Sequence, residues 1–138
     1  MLRSLAVLFL IALSGCVLDA SLAPGILGGT VSDNAPIVGV SSDGLGYSVS
    51  ARNYTTTAHY GPMLKSTSIA VAVSVIGYNG GSTTVEVRDA AGSLAYSQTI
   101  TSNLAQANSV LRGTPPFSVT LTFSKFSGTF SLGVGAGN

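Results

Sequence analysis

The chain carries one histidine, His59, and one cysteine, Cys16, and only 8% of its 138 residues are charged. Enzymatic chemistry needs a nucleophile or metal, a proton carrier and a group that orients it. His59 stands in Thr56-Thr57-Ala58-His59-Tyr60 and could act as a general base toward one of many serines. No Gly-x-Ser-x-Gly elbow accompanies it, and neither Asp43 nor Asp89 has a special spacing to it. The carboxylates Asp19, Asp33, Asp43, Glu86 and Asp89 are few and scattered, so spacing marks no glycosidase pair. The expectation is therefore no catalytic residue, no enzyme, and a His59 that is structural or merely exposed.

Other ligand chemistries are equally thin. Asp33, Asn34, Asp43 and Asp89 are oxygen ligands of the kind that hold Ca²⁺ in loops, but turns favour the same residues and no EF-hand spacing is present. No metal and no cofactor is expected. Gly77-Tyr78-Asn79-Gly80-Gly81 lacks the lysine and the following helix of a phosphate loop. Asn53-Tyr54-Thr55 matches a glycosylation sequon. Binding is more open. Tyr47, Tyr54, Tyr60 and Tyr78, with Asn53, Thr55 to Thr57 and His59, could line a polar, sugar-compatible surface, since tyrosine offers an apolar face and a hydroxyl at little entropic cost. Tyr54, His59 and Tyr60 are the candidate ligand residues. The absence of tryptophan counts against this, and ordinary half-buried strand tyrosines are the competing reading.

The elements that would position these residues read as strands. From about residue 36, Val, Ile, Thr, Ser, Tyr and Phe dominate, with Gly, Asn and Asp as punctuation. Ile69, Val71, Val73 and Val75 alternate with Ala70, Ala72, Ser74 and Ile76, which predicts a central strand covered on both faces. Asn79-Gly80-Gly81-Ser82 predicts a tight turn. Val85 and Val87 alternate with Glu86 and Arg88, and Asp89-Ala90-Ala91-Gly92 predicts the turn of a hairpin over about 83–100, with a phase slip near Gln98. Pro115-Pro116 marks the entry to a last pair of strands, Phe117 to Phe123 and Phe130 to Val134, separated by a turn at Ser127-Gly128. Their large apolar residues are the best core candidates in the chain. Strands at about 36–42, 46–55 and 57–64 are expected as well, and Asn103 to Ala107 reads as a loop. The fold class is all-β: one antiparallel β-sandwich of about seven or eight strands, jelly-roll or immunoglobulin-like. Val85, Val87, Asp89 and Gly92 also give the Val-x-Val-x-Asp-x-x-Gly hairpin that resembles small β-sandwich modules of secreted bacterial proteins.

The N-terminus reads as an address. Arg3 supplies a positive charge, Leu5 to Leu13 an apolar run too short to span a bilayer, and Ser14-Gly15-Cys16 follows. Leu13-Ser14-Gly15-Cys16 resembles the lipobox of bacterial lipoproteins. The resemblance implies a diacylglyceryl group on the Cys16 thiol and cleavage between Gly15 and Cys16. It also implies a signal peptide at 1–15, a lipid-anchored tether at 16–35 and a sandwich domain at 36–138. Val17 rather than Asp at the next position implies the outer membrane where the host has two membranes. Without Arg3, five basic side chains face five acidic ones, so nothing draws the mature chain to nucleic acid.

These readings point to a non-enzymatic, lipid-anchored envelope protein that acts as an interaction or assembly module. It would meet the membrane through its lipid, and an envelope protein or a glycan through its domain. The alternatives are a carbohydrate-binding module on the cell envelope and a phage- or mobile-element-encoded lipoprotein that blocks a receptor.

Overall fold

The computed structural model describes residues 32–137, in which seven strands and no helix are formed. The expected signal peptide with its lipobox-like residues 13–16, Cys16 among them, and the expected tether up to residue 31 lie outside the described residues. The strands are β1 (Ile37–Ser41), β2 (Gly44–Leu64), β3 (Ser68–Ile76), β4 (Ser82–Arg88), β5 (Leu94–Ile100), β6 (Leu104–Arg112) and β7 (Phe117–Ala136). All pairings are antiparallel.

Two long strands make the fold. β2 and β7 pair along nearly their whole length, and both bend sharply midway. Tyr47 and Tyr60 both lie on β2, where a straight strand would hold them about 40 Å apart; their ring centroids are 6.1 Å apart. Phe123 and Phe130 on β7 would be about 20 Å apart if it were straight; they meet edge-to-face at 5.2 Å. The sheet is therefore folded back on itself. One half has the order β1, β2, β7, β3, β6 and uses the first half of β2 and the second half of β7. The other has the order β2, β7, β4, β5 and uses the remaining halves. Strands that cross from layer to layer through bulges are the usual corners of such sandwiches.

The bend has local causes. Asn53 and Lys125 take left-handed backbone angles, φ 49° and 50°, and Gly128 takes φ 144°. The β2–β7 register slips between Ala51 and Tyr54 and again before Thr56. Side chains replace the missing ladder bonds: the Asn53 amide donates to Ser127 Oγ at 2.8 Å and the Lys125 amide to Thr55 Oγ1 at 2.9 Å. Phe126, fully buried, fills the inside of the corner and packs on Phe123 and Tyr78. A Cβ on Gly81 would lie 2.2 Å from the Lys125 carbonyl oxygen, so only glycine lets the β3–β4 turn pass under the corner. On the other side, Asn34 brackets Arg52. Its Nδ2 donates to the Arg52 carbonyl at 3.0 Å and its Oδ1 accepts from the Arg52 amide at 2.8 Å.

The core is the inner face of both halves. Phe117, Val119, Leu121, Phe123, Phe130, Leu132 and Val134 are all buried, as their alternation predicts. They are joined by Ile69, Val71, Val73 and Val75 from β3 and Val85 and Val87 from β4. The β4–β5 hairpin forms as expected, with Asp89 Oδ1 accepting from the Ala91 and Ser93 amides in its turn.

Five expectations need correction. The stretches 46–55 and 57–64 are one bent strand. The Ser127-Gly128 turn is a corner inside β7, because the Gly128 backbone turns the strand without ending its pairing. The loop expected at 103–107 opens β6, whose Leu104, Ala107 and Leu111 pack on the core while its Gln, Asn and Ser positions blur the alternation. The irregularity in β5 lies at Ala95, between the partners of Val87 and Arg88, rather than near Gln98. Finally, β3 is central in its half-sheet, between β7 and β6, but among the described residues no second layer covers its Ala70, Ala72 and Ser74 face.

Candidate functional site

The two outer faces of the sandwich carry opposite side-chain chemistry. On the β2–β7–β4–β5 half, the register aligns Thr57, Thr122, Thr84 and Thr99 in one row and His59, Thr120, Glu86 and Ser97 in the next. Branched hydroxyl and charged residues are what a solvated sheet face favours. Thr84 and Thr99 share a hydroxyl hydrogen bond of 2.9 Å, and His59 Nδ1 meets Thr120 Oγ1 at 3.0 Å. No carboxylate bonds His59 among the described residues, and Glu86 pairs instead with Arg88 at 3.5 Å, which supplies no acid/base dyad.

Among the described residues, the outer face of the β1–β2–β7–β3–β6 half is bare. Its rows run Ile37, Ser48, Ser131, Ser74; then Gly39, Gly46, Gly133, Ala72, Asn108; then Ser41, Gly44, Gly135, Ala70, Val110. Across the three middle strands nothing in these rows exceeds serine in size. None of these residues is ionisable. Large aliphatics stand only around the floor: Ile37, Ile76 and Val110 are 61%, 66% and 61% exposed. A shallow depression of roughly 280 Å³ sits against Ala72, Ser74, Gln106, Ser131 and Gly133.

Glycine in a strand interior weakens it by about 0.5–1 kcal/mol relative to alanine. It is expected there at bulges, tight bends or places where a ligand or another backbone comes close. Gly39, Gly46 and Gly133 have no positive φ. A Cβ built at Gly39 or Gly133 meets no atom within 4 Å, and one at Gly46 only the Gly39 carbonyl oxygen at 4.0 Å. The fold itself therefore has no use for glycine at these three positions, in contrast to Gly81 and Gly128 at the corner.

β1 extends this surface to an edge. All five of its residues are exposed, and its outer side has no paired strand among the described residues. Val38 and Val40 point to the side of the core but are 39% and 57% exposed. An apolar edge with free backbone donors and acceptors is a template for another strand.

The sequence-level candidates are divided by the structure. Tyr54 and Tyr60 alternate onto the inner side of β2 with Ala58 and pack on the core, half-buried. His59 points out the opposite side, beside Thr120. Tyr78 is held at the corner, its hydroxyl donating to the Gly81 carbonyl at 2.8 Å. Tyr47 lies on the first half of β2, 2% exposed, with its ring stacked at 5.9 Å on Phe123. Burial raises its pKa well above the ordinary 10.0, and the neighbouring Tyr54 and Tyr60 phenols push the same way. Burial likewise raises Tyr60. The Tyr54 phenol thus acts on Tyr47 without meeting the geometry of a hydrogen bond, for the Tyr47 hydroxyl is buried with no partner.

The candidate Ca²⁺ ligands are each occupied in local structure. Asp33 pairs with Arg52 at 3.0 Å, Asp43 Oδ1 accepts from the Lys65 amide at 3.2 Å, and Asp89 closes its own turn. No three metal-ligating side chains gather among the described residues. Sequence reasoning missed the bare face. Its signal was present in the Gly-Leu-Gly, Gly-Val-Gly and Ala-Val-Ala alternations, which carry small residues opposite large ones.

No protein-family model matches the sequence, and no curated protein matches it. Solved structures do resemble the fold. One is described by the words "Bacillus endospore appendages form a novel family of disulfide-linked pili", at 15% identity and TM-score 0.42, covering 78% of this chain and 95% of the other. A second is a family-61 carbohydrate-binding module in complex with β-1,4-galactotriose, at 10% identity and TM-score 0.37, covering 74% and 70%. A third is a xylan-binding domain of carbohydrate-binding family 22, at 16% identity and TM-score 0.37, covering 80% and 91%. At such identities and TM-scores the likeness extends to no family, ligand or partner.

Proposed function

We propose that this chain is a non-enzymatic, lipid-anchored protein of the bacterial cell envelope. It acts as a protein-interaction or assembly module that docks a partner protein on the bare outer face bordered by β1. The observation that supports this reading best is glycine at Gly39, Gly46 and Gly133, where the fold neither requires it nor gains from it. A flat surface without projecting side chains lets another backbone approach closely. The absence of charge on it removes the desolvation cost that charged groups would add. Five strands about 4.8 Å apart and three to four rows of residues give about 500 Å² per partner, or about 1,000 Å² in total, near the lower limit of a specific interface. Anchoring through Cys16 supports the same reading. Several acyl chains at about 0.8 kcal/mol per buried methylene hold a domain at the membrane, where the surface concentration favours weak, flat contacts.

The test is in-cell cross-linking and affinity capture of the tagged full-length protein beside two variants. Gly133→Arg places a charge on the bare face, and Thr122→Arg places one on the hydroxyl-rich face. The reading expects one stoichiometric envelope protein with the wild type and with Thr122→Arg, lost from a Gly133→Arg protein that keeps its melting temperature. The same capture with Gly133→Arg would refute the docking face. Turnover of an envelope substrate abolished by His59→Ala would refute the non-enzymatic reading. A fatty-acid label present on the wild type and absent from Cys16→Ala tests the anchor.

A further inference from the structure

A different part of the molecule carries an inference that is independent of the docking face. The β2–β7–β4–β5 half ends at the second half of β2, so among the described residues no strand pairs beyond it. Tyr54, Ala58 and Tyr60, on its inner side, consequently stand at the open rim of the sandwich, half-buried rather than sealed in. Behind them is Tyr47, brought there by the fold in β2; its ring lies edge-on to Tyr60 at 6.1 Å. Tyr54 packs on Phe123 at 5.2 Å, so the same aromatic group supports both. Val38, paired with Tyr47 across β1, adds an exposed apolar wall on the same side.

The Tyr47 ring belongs to the core, but its hydroxyl does not. Phe123 and Phe130 surround the ring at 5.9 and 6.0 Å, and phenylalanine would fill the same volume. A buried hydroxyl without a partner costs about 1–3 kcal/mol. Here it lies unpaired among the Tyr54 and Tyr60 phenols, closed from solvent beside those two half-buried rings.

We propose that Tyr47, Tyr54 and Tyr60 form a binding site for a neutral polyol, in the form of a sugar unit of a glycan, with the Tyr47 hydroxyl as its deepest contact, reached when the half-buried Tyr54 and Tyr60 rings swing aside. Each phenol both donates and accepts, which matches the paired hydroxyls of a sugar, and the aromatic rings and Val38 match its C–H faces. Burial keeps the Tyr47 and Tyr60 phenols protonated through the physiological range, so the site offers neutral donors. No Lys or Arg lies among these residues to favour an anionic ligand. His59, on the other side of β2, takes no part.

The probes are cellohexaose and maltohexaose, with glucose and glycerol as small polyols and polygalacturonate as an anionic chain. Each is titrated to millimolar concentration into full-length protein in detergent and followed by tyrosine fluorescence and calorimetry. Saturable binding of a neutral hexasaccharide, weakened about tenfold or more by Tyr47→Phe, is expected; tenfold corresponds to one hydrogen bond of about 1.4 kcal/mol. Tyr54→Phe and Tyr60→Phe should weaken it as well, and His59→Ala should not. Binding of the hexasaccharides but not of glucose or glycerol identifies a polymer site, and equal binding of all identifies a small-polyol site. Tyr47→Phe should melt no lower than the wild type, which separates loss of the site from loss of the fold. Neutral probes that fail to bind, binding unaffected by Tyr47→Phe, or a preference for polygalacturonate would overturn the proposal. None of these results bears on Gly133→Arg, so the two readings fail separately.

Discussion

Replacing Gly39, Gly46 and Gly133 together by alanine separates what the fold needs from what its surroundings need. The three positions form one continuous row across β1, β2 and β7. None has a positive φ, and an added Cβ meets at most one carbonyl oxygen, at 4.0 Å. Each replacement should then stabilise by about 0.5–1 kcal/mol, through the lower entropy of the unfolded chain and a better strand propensity. The new methyls stand about 5 Å apart in the row, a contact distance for cross-strand pairs, so they add packing rather than strain. The sum is about 1.5–3 kcal/mol, or roughly 6 °C or more in melting temperature for a domain of about 100 residues. Urea titration checks it: the midpoint should rise with the slope unchanged. Partner capture should fall at the same time, because a face that another backbone approaches closely loses about 1–3 kcal/mol when overpacked. A triple variant less stable than the wild type would refute the reasoning at its root, since the glycines would then serve the fold. A stabilised variant that still captures its partner in full would leave the glycines without the role assigned to them.

Three further outcomes are expected. Thr83 is fully buried with an unpaired hydroxyl, so Thr83→Val should raise stability by about 1 kcal/mol in the same urea titration. Gly81→Ala forces a Cβ against the Lys125 carbonyl at φ +77° and should destabilise by about 2 kcal/mol or more, or shift the corner visibly in amide chemical shifts. Tyr47, Tyr60 and Tyr96 all have folded-state pKa values raised above 10.0. The unfolded chain therefore loses these protons first; the stability they contribute is complete below pH 10 and is lost as pH rises above it. An alkaline melt series should show this decline, smaller in Tyr47→Phe, and a flat profile above pH 10 would contradict it.

Much of the architecture was legible because alternation reports one buried face directly. Phe117 to Phe123, Val85 with Val87 and the Asp89 turn all fall where their pattern puts them. What alternation does not report is the path of the chain between sheets. Ser127-Gly128 has the composition of a hairpin turn, yet Gly128 serves a corner that Phe126 fills from inside. Whether such a site ends a strand or bends it depends on β2 bending beside it, which is a tertiary matter. β6 was obscured for a related reason: an edge strand packs only Leu104, Ala107 and Leu111, too few to impose a period. The candidate tyrosines were visible by type, but Tyr47 reaches Tyr60 only through that same bend. The bare face was misread because small residues beside β3 look like a second buried side. On one chain, a covered face and an empty one carry the same alanines and serines.

The central claim is that the bare outer face is where a partner sits. Site-specific photo-crosslinking tests it most directly, with the photoreactive residue introduced at Asn108 or Val110 on that face and at Thr122 or Thr99 on the opposite one. The account predicts one discrete adduct in the envelope from Asn108 and Val110 and none from Thr122 and Thr99. Adducts from the hydroxyl-rich face alone, or none from the bare face in cells where capture finds a partner, would contradict it.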